Sequence, residues 1–181
     1  MIANLASQFL DETHRQMRAH KRLAEGAMAQ LKDHELFLTL DPESNSIAVI
    51  VKHMAGNMRS RFTDFLIADG EKSDRNRDQE FVINPSTTRA DLTEWWEQGW
   101  ERAFATIEAL KPEDVVRVVT IRNESHTVLQ ALNRHIAHYS YHTGQIVFMA
   151  KHIRASKWRT LSIARGKSQD FKTSPPNPIN R

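Results

Sequence analysis

Apolar residues recur at three- and four-residue steps through four separate stretches of this chain, and that period leaves few folds open. A repeat of about 3.6 residues puts side chains on one face of a helix, so each stretch can bury one stripe and solvate the other. In the first stretch, Ile2 to Leu31, the stripe is Leu5, Phe9, Met17, Leu23, Ala27 and Leu31. The second begins near Ile47, behind the N-capping candidates Ser44, Asn45 and Ser46. It carries Ile47, Ile50, Met54, Met58 and Phe65, and stops around Asp69-Gly70, where glycine can close a helix. The third opens on Thr88-x-x-Asp91, a capping-box spacing, runs through Trp96, Trp100, Ala103, Phe104, Ile107 and Leu110, and ends at Pro112. The fourth starts near Thr127, spaced from Gln130 as in a capping box, and continues through Leu132, Ile136, Tyr139, Ile146, Met149 and Ile153.

The expected architecture is therefore all-α, a four-helix bundle over residues 1–154 with a C-terminal tail over 155–181. Residues 71–87 have almost no period, which predicts a long crossover between helices 2 and 3. The β-branched run VVRVVTI, Val115 to Ile121, predicts a strand or short β-hairpin before helix 4. After residue 154 the period fades and the chain finishes in TSPPNPINR, an extended and exposed end. Apolar residues between Trp158 and Phe171 can pack part of the tail on the bundle, and could also border the site discussed below.

Composition narrows the chemistry. With 181 residues, 40% of them hydrophobic, there is material for one well-buried core. The absence of cysteine excludes disulfides, a thiolate zinc site and a cysteine nucleophile, leaving His, Asp and Glu to bind metals. No apolar run reaches the roughly 20 residues of a membrane span, and the opening MIANLASQFLDETHRQ lacks a signal peptide's apolar segment. The expectation is a cytoplasmic protein with no membrane partner. Net charge is +3, but residues 1–150 carry 17 basic and 21 acidic groups (−4), and residues 151–181 carry 8 and 1 (+7). An acidic body and a tail poor in stacking aromatics argue against a nucleic-acid partner.

Four of the nine histidines, His135, His138, His142 and His152, fall on the fourth predicted helix. A four-residue step is about one turn and sets side chains roughly 5–6 Å apart, so His138 and His142 can converge on one ion. Both lie at the edge of the apolar stripe and face the interior obliquely. His135 is deeper and reads as a buried imidazole bonded to a neighbour, while His152, near the helix end, reads as solvated. On helix 2, His53 holds the equivalent edge position, with Asn57, Ser60 and Asp64 following on the same side. Three imidazoles from two helices would leave coordination positions open, as in a catalytic site, and their neutrality would favour an anion beside the ion. From spacing alone, this site and a set of ordinary interior histidines stay equally open. HxxxH without the glutamate of HExxH disfavours peptidase chemistry.

The runs IVKHMAGNMRSRF and HIAHYSYHTGQI resemble the DinB/YfiT-like superfamily, in an uncharacterised branch, over Ile2 to about Ile153. That resemblance implies a four-helix bundle, often a homodimer, with a long crossover after its second helix. It implies a metal triad at His53, His138 and His142, with Gln145 as the glutamine that follows the last ligand. Thr143 stands where many relatives carry arginine. The activity implied is that of a divalent-metal-dependent enzyme, transferring a low-molecular-weight thiol or hydrolysing a small substrate. A non-catalytic dimeric bundle with a structural or vestigial ion is the alternative. Asn57, Arg61, Asp64 and Gln145 are the candidates to orient water or substrate, with Arg61 either anchoring an anion or pairing with Asp64 or Asp69. Zinc or nickel is the expected ion, and three imidazoles also suit iron or copper.

Overall fold

The computed structural model describes residues 2–169, four long helices with a short antiparallel hairpin ahead of the last. Helix α1 is Ile2–Met28, α2 Ile47–Phe62, α3 Arg89–Ala109 and α4 Val128–Arg154; strands β1 (Val118–Ile121) and β2 (Glu124–Thr127) make the hairpin. Short 3-10 turns occupy Asp33–Phe37, Asp78–Phe81, Pro112–Val116 and Ala155–Lys157. α1 lies against α4 and α2 against α3, and α2 also meets α4. One core receives Met17 and Ala24 from α1, Met54 and Met58 from α2, Trp100 from α3 and Tyr139 from α4. The Trp100 and Tyr139 rings are fully buried, 5.7 Å apart edge to face, which ties α3 to α4.

Three helix starts follow from local chemistry. Ser46 accepts the Val49 N–H, and Thr88 with Asp91 and Thr127 with Gln130 form reciprocal capping boxes, each satisfying backbone donors that lack a helical partner. Other boundaries differ from the sequence reading. α1 stops at Met28, short of Leu31, and Leu5 is 69% exposed. The buried line of α1 is instead Leu10, Thr13, Met17, Ala24 and Ala27, and Leu5 sits about 120° round the helix from Met17.

α2 ends at Phe62, not at Asp69-Gly70, because both the Thr63 N–H and its hydroxyl turn back to the Arg59 carbonyl and Asp64 takes a left-handed φ of 50°. Phe65, placed on helix 2 by its spacing, lies outside it and stacks on Phe62 with ring centroids 5.7 Å apart. The connection to α3 thus spans residues 63–88 rather than 71–87.

The predicted run VVRVVTI supplies the first strand in its C-terminal half and the second strand follows it, while Val115 and Val116 belong to a 3-10 turn. The hairpin's two turn residues, Arg122 and Asn123, have φ of 56° and 63°, the left-handed pair that matches strand twist. Two short strands are marginal alone. Here the Asp69 carboxylate accepts both turn N–H groups at 2.9 and 2.8 Å, and the Gly70 N–H donates to the Thr120 carbonyl at 2.8 Å. These bonds fasten the hairpin to the α2–α3 connection.

After α4 the chain packs on α1. The Gln30 side chain exchanges bonds of 3.0 and 2.9 Å with the Arg159 backbone, Leu161 covers Gly26, and Trp158 rests on the core. TSPPNPINR and Phe171 lie outside the described residues. No described helix is long and apolar enough to cross a membrane.

Candidate metal centre

His53 of α2 faces His138 and His142 of α4 across the contact between the two helices. Nε2 of His138 is 3.3 Å from Nε2 of His53 and 3.2 Å from Nε2 of His142. One ring nitrogen from each of the three lies within 4.8 Å of the others. His53 and His142 are buried and His138 is half-buried.

The outer nitrogens decide what the inner ones can do. His53 Nδ1 is 2.8 Å from Glu80 Oε2, and His142 Nδ1 is 2.7 Å from Gln145 Oε1. Both oxygens only accept, so each Nδ1 carries its ring's proton and each Nε2 presents a lone pair. His138 Nε2 faces both lone pairs and can donate to one at most. Electron-rich nitrogens brought together in this way could hold a cation. Nitrogens bonded tetrahedrally to zinc at about 2.0–2.1 Å stand about 3.3–3.4 Å apart, so the two His138 separations suit one ion.

Protonation is disfavoured here. Burial, with His142 and His53 beside it, pushes His138 down to about 3. Burial pushes His142 down to about 4, against the bond to Gln145. Both imidazoles are neutral near pH 7, the form that binds metals.

Glu80, which the sequence reading passed over, arrives from the 3-10 turn Asp78–Phe81 in the α2–α3 connection and is buried. Arg75 grips both of its oxygens, Nε at 2.8 Å and Nη2 at 2.9 Å. Burial opposes ionisation, but the bonds to His53 and Arg75 hold the Glu80 carboxyl below the usual range. A carboxylate behind a ligating imidazole fixes its tautomer and raises its basicity. Glu80 needs room against α2, and Gly56 supplies it, since a Cβ there would collide with Glu80 Oε1. Gly56→Ala is therefore expected to keep the helix, which alanine favours by about 1 kcal/mol, yet weaken metal binding about tenfold by unseating the carboxylate. Chelator competition on both proteins measures this, and equal affinities would deny Glu80 its influence.

The other candidates divide. Asn57 is buried and its Oδ1 accepts the Tyr139 hydroxyl at 2.9 Å. Arg61 is buried, and its Nη2 pairs with Glu71 at 2.8 Å rather than with Asp64 or Asp69. Asp64 is exposed on the turn after α2 and lines a different surface, with Phe65 and Thr106. Gln145 stays with His142. His135 is buried against Phe62 and stacked on Tyr139, but its Nε2 has no partner, contrary to the expected bond to a neighbour. His152 is exposed.

A cavity of about 360 Å³ opens beside the imidazoles. His53, His138 and Asn57 line it together with Arg61, Arg75, Arg77, Arg122 and Arg134. Of these arginines the sequence reading named Arg61 alone. The signal for two more was the charge-dense run RNRDQE, residues 75–80, inside a connection of unusual length. Thr143, at the position where the resemblance expects arginine, is buried with an unpartnered hydroxyl.

Residues 4–167 match the sequence profile of a family described as "Protein of unknown function (DUF1572)". No curated protein and no solved structure matches the chain.

Proposed function

We propose that this chain, which belongs to the DUF1572 family, is a divalent-metal-dependent enzyme that transfers a low-molecular-weight thiol or hydrolyses a small substrate at its three-histidine site. The observation that carries the proposal is the facing of Nε2 lone pairs beside an accessible cavity. His53 on α2, the HxxxH of α4, Gln145 after it and the long α2–α3 connection also support placing the family within the DinB/YfiT-like superfamily.

In this reading His53, His138 and His142 hold the ion, zinc or nickel first, with iron and copper compatible with the same donors. Bound there, a divalent ion supplies Lewis acidity that lowers the pKa of an adjacent thiol or water. Glu80 and Gln145 keep the Nδ1 protons of His53 and His142 away from the ion side. Half-buried His138 and buried His53 both border the cavity, so a small molecule approaches from there. Tyr139 anchors the Asn57 amide at the cavity wall. The chain has no cysteine, so a sulfur nucleophile has to come with the cosubstrate.

The test is to titrate 2-mercaptoethanol and glutathione into cobalt-substituted protein and record the absorption spectrum. A near-ultraviolet band that saturates with thiol is the expected result. Unchanged cobalt bands at saturating thiol would remove the transfer arm. A spectrum that also ignores cyanide and azide would show a closed site and point to the non-catalytic helical-bundle role.

A further inference from the structure

The arginines around the cavity greatly exceed the acids that neutralise them. Arg61, Arg75 and Arg122 all converge on the single Glu71 carboxylate, at 2.8, 3.3 and 2.9 Å, and Arg75 also holds Glu80. Arg77 lies over the Phe81 ring, 5.0 Å from its centroid. Neither Arg77 nor Arg134 has an ion pair among the described residues. Five guanidiniums pair with two carboxylates, Glu71 and Glu80, and even with Asp69 beside Arg61 and Arg122 counted, two positive charges remain; no Asp or Glu lines the cavity.

Such crowding is costly unless an anion completes it, because like charges in a partly desolvated concavity repel more strongly than in water. A broad basic face for a polyanion would look different. Residues 1–150 carry 17 basic against 21 acidic groups, so the positive charge at this spot is local. The volume, about 360 Å³, suits a small molecule. The guanidiniums come from α2, the α2–α3 connection, the hairpin turn and α4, so their convergence is a product of the tertiary fold.

We propose that this cavity binds a small molecule through a carboxylate or phosphate group held by Arg77, Arg122 and Arg134, with Arg61 at its wall, so that the substrate of the adjacent metal site is an anion. The proposal rests on the metal-dependent reading for the word substrate, while the anion site itself stands on the arginines. Planar guanidiniums offer paired N–H donors matched to two oxygens of one oxyanion. An ion held by three neutral imidazoles would add two positive charges at the same mouth.

The experiment is calorimetric titration of inorganic phosphate and, separately, of succinate, at low ionic strength. Tag-free protein is used both stripped of metal and loaded with zinc, with excess ion removed and metal content measured. Arg77→Ala/Arg134→Ala changes two exposed residues that make no ion pair among the described residues, so the fold is not at risk. Arg15→Ala/Arg22→Ala, on the exposed side of α1, is the control for net charge. At least one probe is expected to bind the parent, to weaken on the order of tenfold in Arg77→Ala/Arg134→Ala, and to change less than about twofold in the control. The tighter probe identifies the oxyanion class.

Three results would overturn the inference: no binding of either probe, equal loss in both double variants, or binding that needs zinc and ignores Arg77 and Arg134. The two proposals fail separately. Zinc retained without arginine-dependent anion binding removes the anion site alone, whereas arginine-dependent binding to protein that takes up no metal when zinc is offered removes the metal-dependent reading alone.

Discussion

Each of His53→Ala, His138→Ala and His142→Ala is expected to weaken divalent-metal binding on the order of 10²–10³-fold. Structural zinc sites bind with about 10–16 kcal/mol, or about 2.5–4 kcal/mol for each of four ligands. Each variant also leaves only two of the three converging nitrogens. In the metal-free protein the substitution costs less, because His138 Nε2 can donate to only one of its two neighbours and removing a ring relieves the lone-pair contact that remains. The parent should therefore gain thermal stability on adding zinc, about 2.7 kcal/mol at a concentration 100 times Kd, and the variants should not. His152→Ala, exposed on the same helix, should behave as the parent. Elemental analysis of tag-free proteins checks the binding, and equal metal content in all of them would dismiss the site.

Glu80→Ala is expected to act on stability and on the site together. The Arg75 side chain is 2% exposed and donates two of its bonds to Glu80, so the substitution strands a buried guanidinium. Removing one partner of a buried pair costs about 3–5 kcal/mol. The lower end applies here, because Glu71 remains 3.3 Å from Arg75. His53 also loses the acceptor that fixes its tautomer, which should lower metal affinity about 10–100-fold. Glu80→Gln keeps the volume and an acceptor oxygen but not the charge, so its losses should be smaller on both counts. Urea unfolding of metal-free protein and chelator competition read the two effects independently. A Glu80→Ala protein as stable as the parent would contradict the assigned role of the Arg75 pair.

What could be read from the sequence was what is local. Ser46, Thr88 and Thr127 announce their helices because a cap needs only residues within one turn. His138 and His142 were legible for the same reason, one turn of helix bringing two imidazoles together. The end of α2 was hidden because Phe65 continues the apolar step from Phe62 while packing on it from outside the helix. Leu5 misled for a related reason, since successive three- and four-residue steps can drift off the buried face. Glu80 was invisible because its partner His53 is 27 residues away and neither residue stands in a pattern that names the other. Arg61 was recognised as a charge near the site, but its partner Glu71 lies in the irregular connection, where no period exists to be read.

Connections between helices usually tolerate insertion and deletion. The segment between α2 and α3 carries Asp69, which grips the hairpin turn, Glu71, on which three arginines converge, and Glu80, which backs His53. Each works at a fixed reach from a different neighbour. Trimming even a few residues from 63–88 would pull one anchor off its post while leaving the four helices nothing to object to. Length variation among family members should accordingly gather in the stretch before Ser46 and beyond Arg154, sparing this span as though it were core.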